Sequence, residues 1–284
     1  MTLSLAAERG APASLDVPLL VIALAAGATL DEPLVALDRQ LGGAIDRLLA
    51  RRDFRAGRDE TLHLAGGATG PARLLLIGIG KTDRVSGLRR AGALAARQAG
   101  RMGAGRLAFY AGTLDRRETE AVALGLNVGA WDYTDTKTPP PEEERRAPLT
   151  SAVILGADAA GLEDGRALAE GHGLARTLGM MPGNLCTPDF LADTARDIAQ
   201  RHGISPARSA SLLDVYACAT QSVLPYGAQI LLAASIAKVS PLAIVGTVHY
   251  GWLLALAATA AILAGFPRVY AAPVPPAEAA SQAG

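Results

Sequence analysis

Short apolar segments alternate with longer amphipathic segments over the first 165 residues, and this alternation constrains the fold more than any other feature. The apolar segments have the length and the Leu, Val and Ile content of buried strands, and they are residues 15–24, 73–80, 106–111 and 152–155. The amphipathic segments carry apolar residues at helical spacing, and they are residues 31–51, 86–101 and 118–131. Strands that alternate with helices form a mainly parallel sheet covered on both faces. The sequence therefore predicts an α/β layered domain over roughly residues 1–165.

Local signals refine this pattern further along the chain. Residues 136–149 are rich in Pro and charge, and they are either an exposed loop or a flexible crossing; the strand that follows directly favours the loop. Residues 162–178 have a helical pattern, and another helix opens at Thr187-Pro188 and runs to about His202. Thr187 suits an N-cap and Pro188 suits the first helical position. Asp31 is a similar N-cap at the start of the first helix.

The composition changes near residues 202–208. Between Val215 and Pro267 the only formally charged side chain is Lys238, whereas residues 31–120 are dense in Arg, Asp and Glu. The 25 residues from Leu242 through Trp252 to Phe266 carry no formal charge. A membrane-spanning helix needs about 20 apolar residues, so this segment predicts a membrane span. The alternative is a buried helical hairpin of a soluble protein.

No motif in residues 1–206 predicts an active site. Lys plus Arg and Asp plus Glu balance at 27 each, which argues against a nucleic-acid partner bound through bulk positive charge. The Gly78–Lys81 turn lacks the further residues of a phosphate or dinucleotide loop. The four histidines are scattered, and Cys186 and Cys218 have no metal-site or disulfide spacing. These two cysteines fit a reducing compartment, and the first residues do not have the pattern of a secretory signal.

One segment carries a family resemblance. Residues 174–192, LARTLGMMPGNLCTPDFLA, resemble the signature of the leucyl (cytosol) aminopeptidases, A-R-D-L-x-N-x-P-x-N-x-x-T-P-x-x-L-A. The matching residues are Ala175, Arg176, Leu178, Pro182, Asn184, Thr187, Pro188, Leu191 and Ala192. Thr177 and Met180 depart from it, where Asp and Asn are usual. The order of the upstream segments is also similar, so the resemblance covers about residues 15–202.

This resemblance implies a macro-like amino-terminal domain joined by a helix to a catalytic domain. In that family the catalytic domain holds two divalent metal ions, manganese or zinc, and a hexamer releases N-terminal residues such as Leu from peptides. The family's metal-binding stretches, V-G-K-G-x-x-F-D-[ST]-G-G and N-T-D-A-E-G-R-L, do not occur in this sequence. We therefore expect no catalytic residue and no bound metal, a truncated and inactive peptidase, and a structural role for Arg176, Pro182, Asn184, Thr187 and Pro188.

The tail has a second resemblance. Residues 208–266 look like the carboxy-terminal end of NhaC-type sodium/proton antiporters, through Leu212-Leu213-Asp214, the helix with Cys218 and Gln221, Pro225-Tyr226-Gly227-Ala228-Gln229 and Ser240-Pro241. The predicted domains are residues 1–165, macro-like; 166–206, a linker helix with the start of the catalytic domain; and 207–284, an apolar helical tail. Two interpretations remain open: a fused or mis-assembled reading frame, or a membrane-tethered domain with residues 1–206 in the cytoplasm. A non-catalytic binding or oligomerisation module is the alternative function.

Overall fold

A computed structural model describes residues 3–67, 69–81, 83–224, 227–247 and 249–264. Its backbone contacts divide the chain into two units, Met1–Met181 and Pro182–Gly284. This division falls inside the predicted segment 166–206, and the predicted domain bounds remain a prediction.

The first unit is built on a six-stranded sheet. Its strands are β1 Ser4–Glu8, β2 Leu20–Ala25, β3 Thr61–Ala65, β4 Arg73–Gly80, β5 Arg106–Tyr110 and β6 Ser151–Leu155. They lie in the order β1-β6-β5-β2-β4-β3. Neighbouring strands are parallel except β3, which is antiparallel to β4. The mainly parallel sheet predicted from the alternation is confirmed.

Helices cover both faces of the sheet, as predicted. The helices α1 Glu32–Gln40 and α2 Ala44–Arg51 pack on one face, and α3 Arg84–Met102, α4 Arg116–Ala130 and α5 Ala159–Met180 pack on the other. Successive residues of β4 point to opposite faces, so Leu75 and Ile77 contribute to one buried core while Leu74 and Leu76 contribute to the other. Parallel strands are buried on both faces, which is why β4 reads as a continuous apolar run.

The helix predicted over residues 31–51 is wrong in one respect, because the structure has two helices there. The chain turns at Gly42 and Gly43, whose φ angles are 64° and 76°. This left-handed conformation is easy for glycine and costly for other residues. The predicted N-cap at Asp31 is confirmed: its Oδ1 accepts a hydrogen bond from the Leu34 amide at 3.1 Å.

The two strands at the edges of the sheet have no counterpart in the sequence prediction. In β1 only Leu5 is buried, and β3 has no buried residue among its five. Each of these strands pairs with a single neighbour. An edge strand packs fewer side chains than a central one, so its apolar pattern is weak.

Close glycine contacts join the helices of one face. A side chain at Gly125 in α4 would lie 2.2 Å from the Arg89 carbonyl of α3, and one at Gly129 would lie 2.2 Å from the Ala93 carbonyl. Only a residue without Cβ permits this approach of two backbones.

After α4, residues 136–149 form the predicted exposed loop, with a short 3₁₀ turn at Glu142–Glu144.

The second unit consists of helices in the part of the chain that is described. They are α6 Pro188–Arg201, α7 Pro206–Val223, α8 Ala228–Ala237, α9 Pro241–Thr247 and α10 Tyr250–Leu263. Its buried apolar side chains are Ala199, Ala219, Ile230 and Ala234. Both large buried cores described above lie wholly in the first unit.

The single membrane-spanning helix predicted over residues 242–266 is wrong. Leu242 lies in α9 and Trp252 lies in α10, while Phe266 lies outside the described residues. Among the described helices, none is by itself both long enough and apolar enough to cross a bilayer; Ile230–Ala237 with Pro241–Thr247 reach that length and hydropathy only as a pair, bent by 109°. Counting uncharged residues located the apolar segment, but such a count is insensitive to breaks between helices.

Candidate functional site

The predicted turn and helix start at residues 182–190 have the expected local geometry. The Pro182 carbonyl accepts hydrogen bonds from the Leu185 and Cys186 amides, each at 2.9 Å, which closes the turn. Thr187 is the N-cap of α6, and its Oγ1 accepts from the Phe190 amide at 3.2 Å. Pro188 occupies the first helical turn, where its missing N–H costs nothing. Asn184 lies exposed in this turn.

Arg176 lies in the first unit, where it fixes α5 against the end of α4. Its guanidinium lies over the Trp131 ring, 3.8 Å from the ring centroid, and donates to the Val128 carbonyl at 3.3 Å. A guanidinium over an indole is a favourable cation–π pair, and a cation near the last carbonyls of a helix complements the helix dipole. The structural role expected for Arg176 remains a prediction, with which these contacts are compatible.

Thr177, one of the departures from the aminopeptidase signature, joins the same contact. Its Oγ1 accepts from the Trp131 indole Nε1–H at 3.3 Å and donates to the Gly173 carbonyl at 2.9 Å. The hydroxyl therefore satisfies the indole donor, which an apolar residue could not do. Trp131, Arg176 and Thr177 together hold the carboxyl ends of α4 and α5 together.

The sheet has a topological switch point between β2 and β5. These strands are neighbours, but after β2 the chain continues to β3 and β4 on one side of the pair, and after β5 it continues to β6 on the other side. Ligands of open α/β sheets bind at such crevices, at the carboxyl ends of the strands. Here Tyr110, at the end of β5, donates its hydroxyl to Asp31 Oδ2 at 2.5 Å, and Asp31 follows β2 as the cap of α1. This hydrogen bond bridges the crevice.

The phenol of Tyr110 remains a hydrogen-bond donor over the whole physiological pH range. Burial raises its pKa well above the ordinary value, and both the hydrogen bond to Asp31 and the charge of that carboxylate raise the pKa further. The two groups lie 79 positions apart in sequence. No local pattern could have predicted their contact, although the N-cap position of Asp31 was predictable.

The loop after β5 is held by an ion pair and a hydrogen bond of the same arginine. Arg84 Nε lies 2.6 Å from Glu118 Oε1, and Arg84 also donates to the Ala111 carbonyl at 2.8 Å. Glu118 in turn forms a capping box with Asp115 at the start of α4. The arrangement ties the start of α3, the loop after β5 and the start of α4 together at the carboxyl edge of the sheet.

A groove of about 690 Å³ opens beside α1 and α2 and contains Thr29, Asp38, Arg39 and Asp46. Asp38 is buried, and its two oxygens accept from the Ile45 amide at 2.7 Å and the Asp46 amide at 3.3 Å. Because Gly43 has no side chain to cap α2, Asp38 caps that helix from the preceding one. Both carboxylate oxygens of Asp38 therefore accept hydrogen bonds from backbone amides, which gives this buried side chain a structural role.

The described residues contain no group of three or more His, Cys, Asp or Glu side chains that could hold a metal ion. The histidines lie apart: His63 is in β3, His172 is in α5, His202 is the C-cap of α6 and His249 is the N-cap of α10. The two metal ions implied by the family resemblance therefore have no fitting donor set in the described part of the chain.

Comparison with known proteins gives a family for the front of the chain. Residues 21–140 match the N-terminal domain of the cytosol aminopeptidase family. A probable cytosol aminopeptidase of Xanthomonas oryzae is 34% identical over 225 residues, 75% of this chain and 44% of the relative. One of Bordetella avium is 34% identical over 170 residues, 54% of this chain and 33% of the relative. Residues 21–140 are thus homologous to that N-terminal domain, and the matched part spans less than half the length of these curated relatives.

Solved structures agree on the fold. A mutant of tomato leucine aminopeptidase superposes with a TM-score of 0.57 at 23% identity, over 71% of this chain and 43% of that one. The bottromycin maturation enzyme BotP superposes with a TM-score of 0.50 at 22% identity, over 73% of this chain and 43% of that one. At this level of identity the likeness concerns the fold alone.

Proposed function

We propose that this chain supplies the amino-terminal, non-catalytic domain of a metal-dependent aminopeptidase, the class of enzyme that releases N-terminal amino acids from peptides. The observation that carries the proposal is the match of residues 21–140 to the N-terminal domain of the cytosol aminopeptidase family. The similarity to the Xanthomonas oryzae protein over 225 residues supports it, because that alignment extends well beyond this domain.

In this proposal, residues 1–165 are the macro-like domain and residues 166–206 are a linker helix followed by the start of the catalytic part. Arg176 stabilises the linker helix through Trp131 and Val128. Pro182, Asn184, Thr187 and Pro188 form the turn into α6, with the hydrogen bonds described above. The antiporter resemblance of residues 208–266 remains a prediction.

The two-metal chemistry of the family does not extend to this chain in our proposal. A pair of divalent ions, manganese or zinc, needs several oxygen or nitrogen ligands held together, and the described residues do not provide such a group. We therefore propose that this chain has no aminopeptidase activity by itself.

Hydrolysis of leucine p-nitroanilide in the presence of Mn²⁺ or Zn²⁺ tests this proposal. We expect a rate equal to that of buffer with metal, alongside a purified leucine aminopeptidase as positive control. Chelator-sensitive turnover at an ordinary enzyme rate, on the order of 1 s⁻¹ or more, would overturn it.

A domain exchange tests the claim that this chain supplies the amino-terminal domain of an aminopeptidase. Residues 1–181 should replace the corresponding part of the Xanthomonas oryzae relative with its fold and its hydrolysis retained, since the two proteins are 34% identical over 225 residues, 75% of this chain. A chimera that folds by circular dichroism but differs in assembly and rate from the parent would argue against a shared domain role.

Partners and location follow the same proposal. We propose a homo-oligomer, as the family resemblance implies, no nucleic-acid partner, and a cytoplasmic site for residues 1–206, because the relatives are named cytosol aminopeptidases. Sedimentation velocity of the purified chain measures the oligomer directly.

A further inference from the structure

The last three helices present large apolar side chains to solvent. We call these residues the apolar tail surface: Leu231, Leu232, Ile236, Leu242, Tyr250, Trp252, Leu253, Leu256 and Leu263. Leu256 is 68% exposed and Leu263 is 83% exposed. Exposed apolar surface of this kind marks a site of interaction with a protein or a membrane.

The helix α10 is apolar on both of its sides. Its inner side, with Ala258 and Ile262, faces Leu212 and Val215 of α7 around a small cavity, at whose edge Arg208 donates to the Ile262 carbonyl at 3.2 Å. Its outer side carries Leu253 and Leu256, which are exposed. A helix that is apolar all round is ordinarily enclosed on every side, in the core of a large protein or in a membrane.

Three hydroxyl groups in these helices have a hydrogen-bond partner within the protein. Ser235 donates to the Leu232 carbonyl at 2.8 Å, Thr247 donates to the Ile244 carbonyl at 2.9 Å, and Thr259 donates to the Ala255 carbonyl at 2.7 Å. Each bond stays within its own helix. A polar group that enters hydrocarbon must find its partner inside the protein, so these three hydroxyls are compatible with a lipid environment.

Charge favours lipid over a second protein as the occupant. Over residues 227–264 the only formally charged side chain is Lys238, which is exposed at the C-cap of α8. A protein–protein interface usually has a polar rim around its apolar centre, whereas the exposed residues of α10 are almost entirely apolar. A lone lysine next to apolar helices can keep its ammonium group at the headgroups.

Length determines the mode of contact. With 14 residues, α10 is about 21 Å long, against a hydrocarbon layer of about 30 Å. The helices α8 and α9 are bent by 109° relative to each other. We propose that the apolar tail surface docks on a lipid bilayer, with α8–α10 embedded in one leaflet and Lys238 at the headgroup level.

Flotation with phosphatidylcholine vesicles tests this docking. The full chain should float with the vesicles, and the emission of Trp252 in a Trp131→Phe background should shift to shorter wavelength when vesicles are added. The variant Leu253→Glu/Leu256→Glu should partition into vesicles at least about tenfold less, because a carboxylate is costly in hydrocarbon. Both leucines are exposed, so far-UV circular dichroism should be unchanged.

The matched control is Leu168→Glu, a change at a leucine that is exposed in α5 of the first unit; it should leave flotation unchanged. A wild-type chain that stays at the bottom of the gradient would overturn the proposal. So would a lipid-independent dimer that Leu256→Glu dissociates, since a second copy would then cover the surface. Neither result depends on aminopeptidase activity.

Discussion

In the first unit, the central strands are apolar runs that contribute side chains to a core on each face of the sheet, and the helices bury apolar side chains against those faces, whereas in the second unit apolar side chains occur on all sides of the last helices. The first unit buries both of its cores, and the second, with fewer charges, buries a few small side chains and Ile230. Apolar content alone therefore does not produce a core. A core forms where the apolar period matches the secondary structure, so that apolar faces meet.

The sharpest test compares one large apolar side chain from each unit. Phe109 is fully buried in β5, so Phe109→Ala should lower the free energy of unfolding of the first unit by about 3–5 kcal/mol. Leu253 is 63% exposed, so Leu253→Ala should change the stability of the second unit by less than about 0.5 kcal/mol. The chain has two tryptophans, Trp131 and Trp252, one in each unit.

Urea unfolding followed by fluorescence measures both effects. A Trp252→Phe background leaves Trp131 to report on the first unit, and a Trp131→Phe background leaves Trp252 to report on the second. The second unit should unfold with a shallow transition, because it exposes little new surface. A steep transition of the second unit that Leu253→Ala shifts strongly would contradict the comparison.

The next effect concerns two glycines that differ only in their surroundings. Gly125→Ala would place a methyl group 2.2 Å from the Arg89 carbonyl, so it should destabilise the first unit by about 1–3 kcal/mol. Gly171→Ala, in α5 with nothing within 4 Å, should stabilise it by about 0.5–1 kcal/mol. Equal effects of the two changes in the Trp131 assay would show that α3 and α4 do not pack as closely as described.

The smallest effects come from helix caps. Asp38→Ala should lower the free energy of unfolding of the first unit by about 1–2 kcal/mol, because it removes a buried acceptor for the Ile45 amide, and Asp38→Asn should restore part of this loss.

Thr187→Ala should lower the stability of α6 by about 0.5–1 kcal/mol, and the effect should be local to the start of that helix. Faster hydrogen exchange at the Phe190 amide would report that local loss; unchanged exchange there would mean that Thr187 does not cap the helix.

The predictable parts of the fold are those that leave a local signal. The buried strands and the caps at Asp31 and Thr187 follow from residues close together in sequence. The break between α1 and α2 coincides with the adjacent glycines Gly42 and Gly43, although the apolar residues keep their helical spacing across it. The edge strands β1 and β3 bury too little to leave a pattern.

The candidate site was less predictable than the fold. The Tyr110–Asp31 and Arg84–Glu118 contacts join residues from different strand–helix units, and only the sheet order brings them together. In the tail, the absence of charge located an apolar region, but it contains no information on where helices end. The structural role of Arg176 was expected from the resemblance, and its partner Trp131 becomes evident only from the packing.

The pairing of β1 with β6 has a consequence for synthesis of the chain. Ser4 lies beside Ser151, so within the described residues β1 pairs only with β6, the last of the six strands in chain order. At about 5–20 residues per second, a ribosome needs roughly 7–30 s between these two strands. During that time β1 has no partner within the sheet, while β2, β4 and β5 can already associate. The pairing of β1 with β6 is therefore a late event of folding. It cannot form until the ribosome has made the chain as far as residue 155.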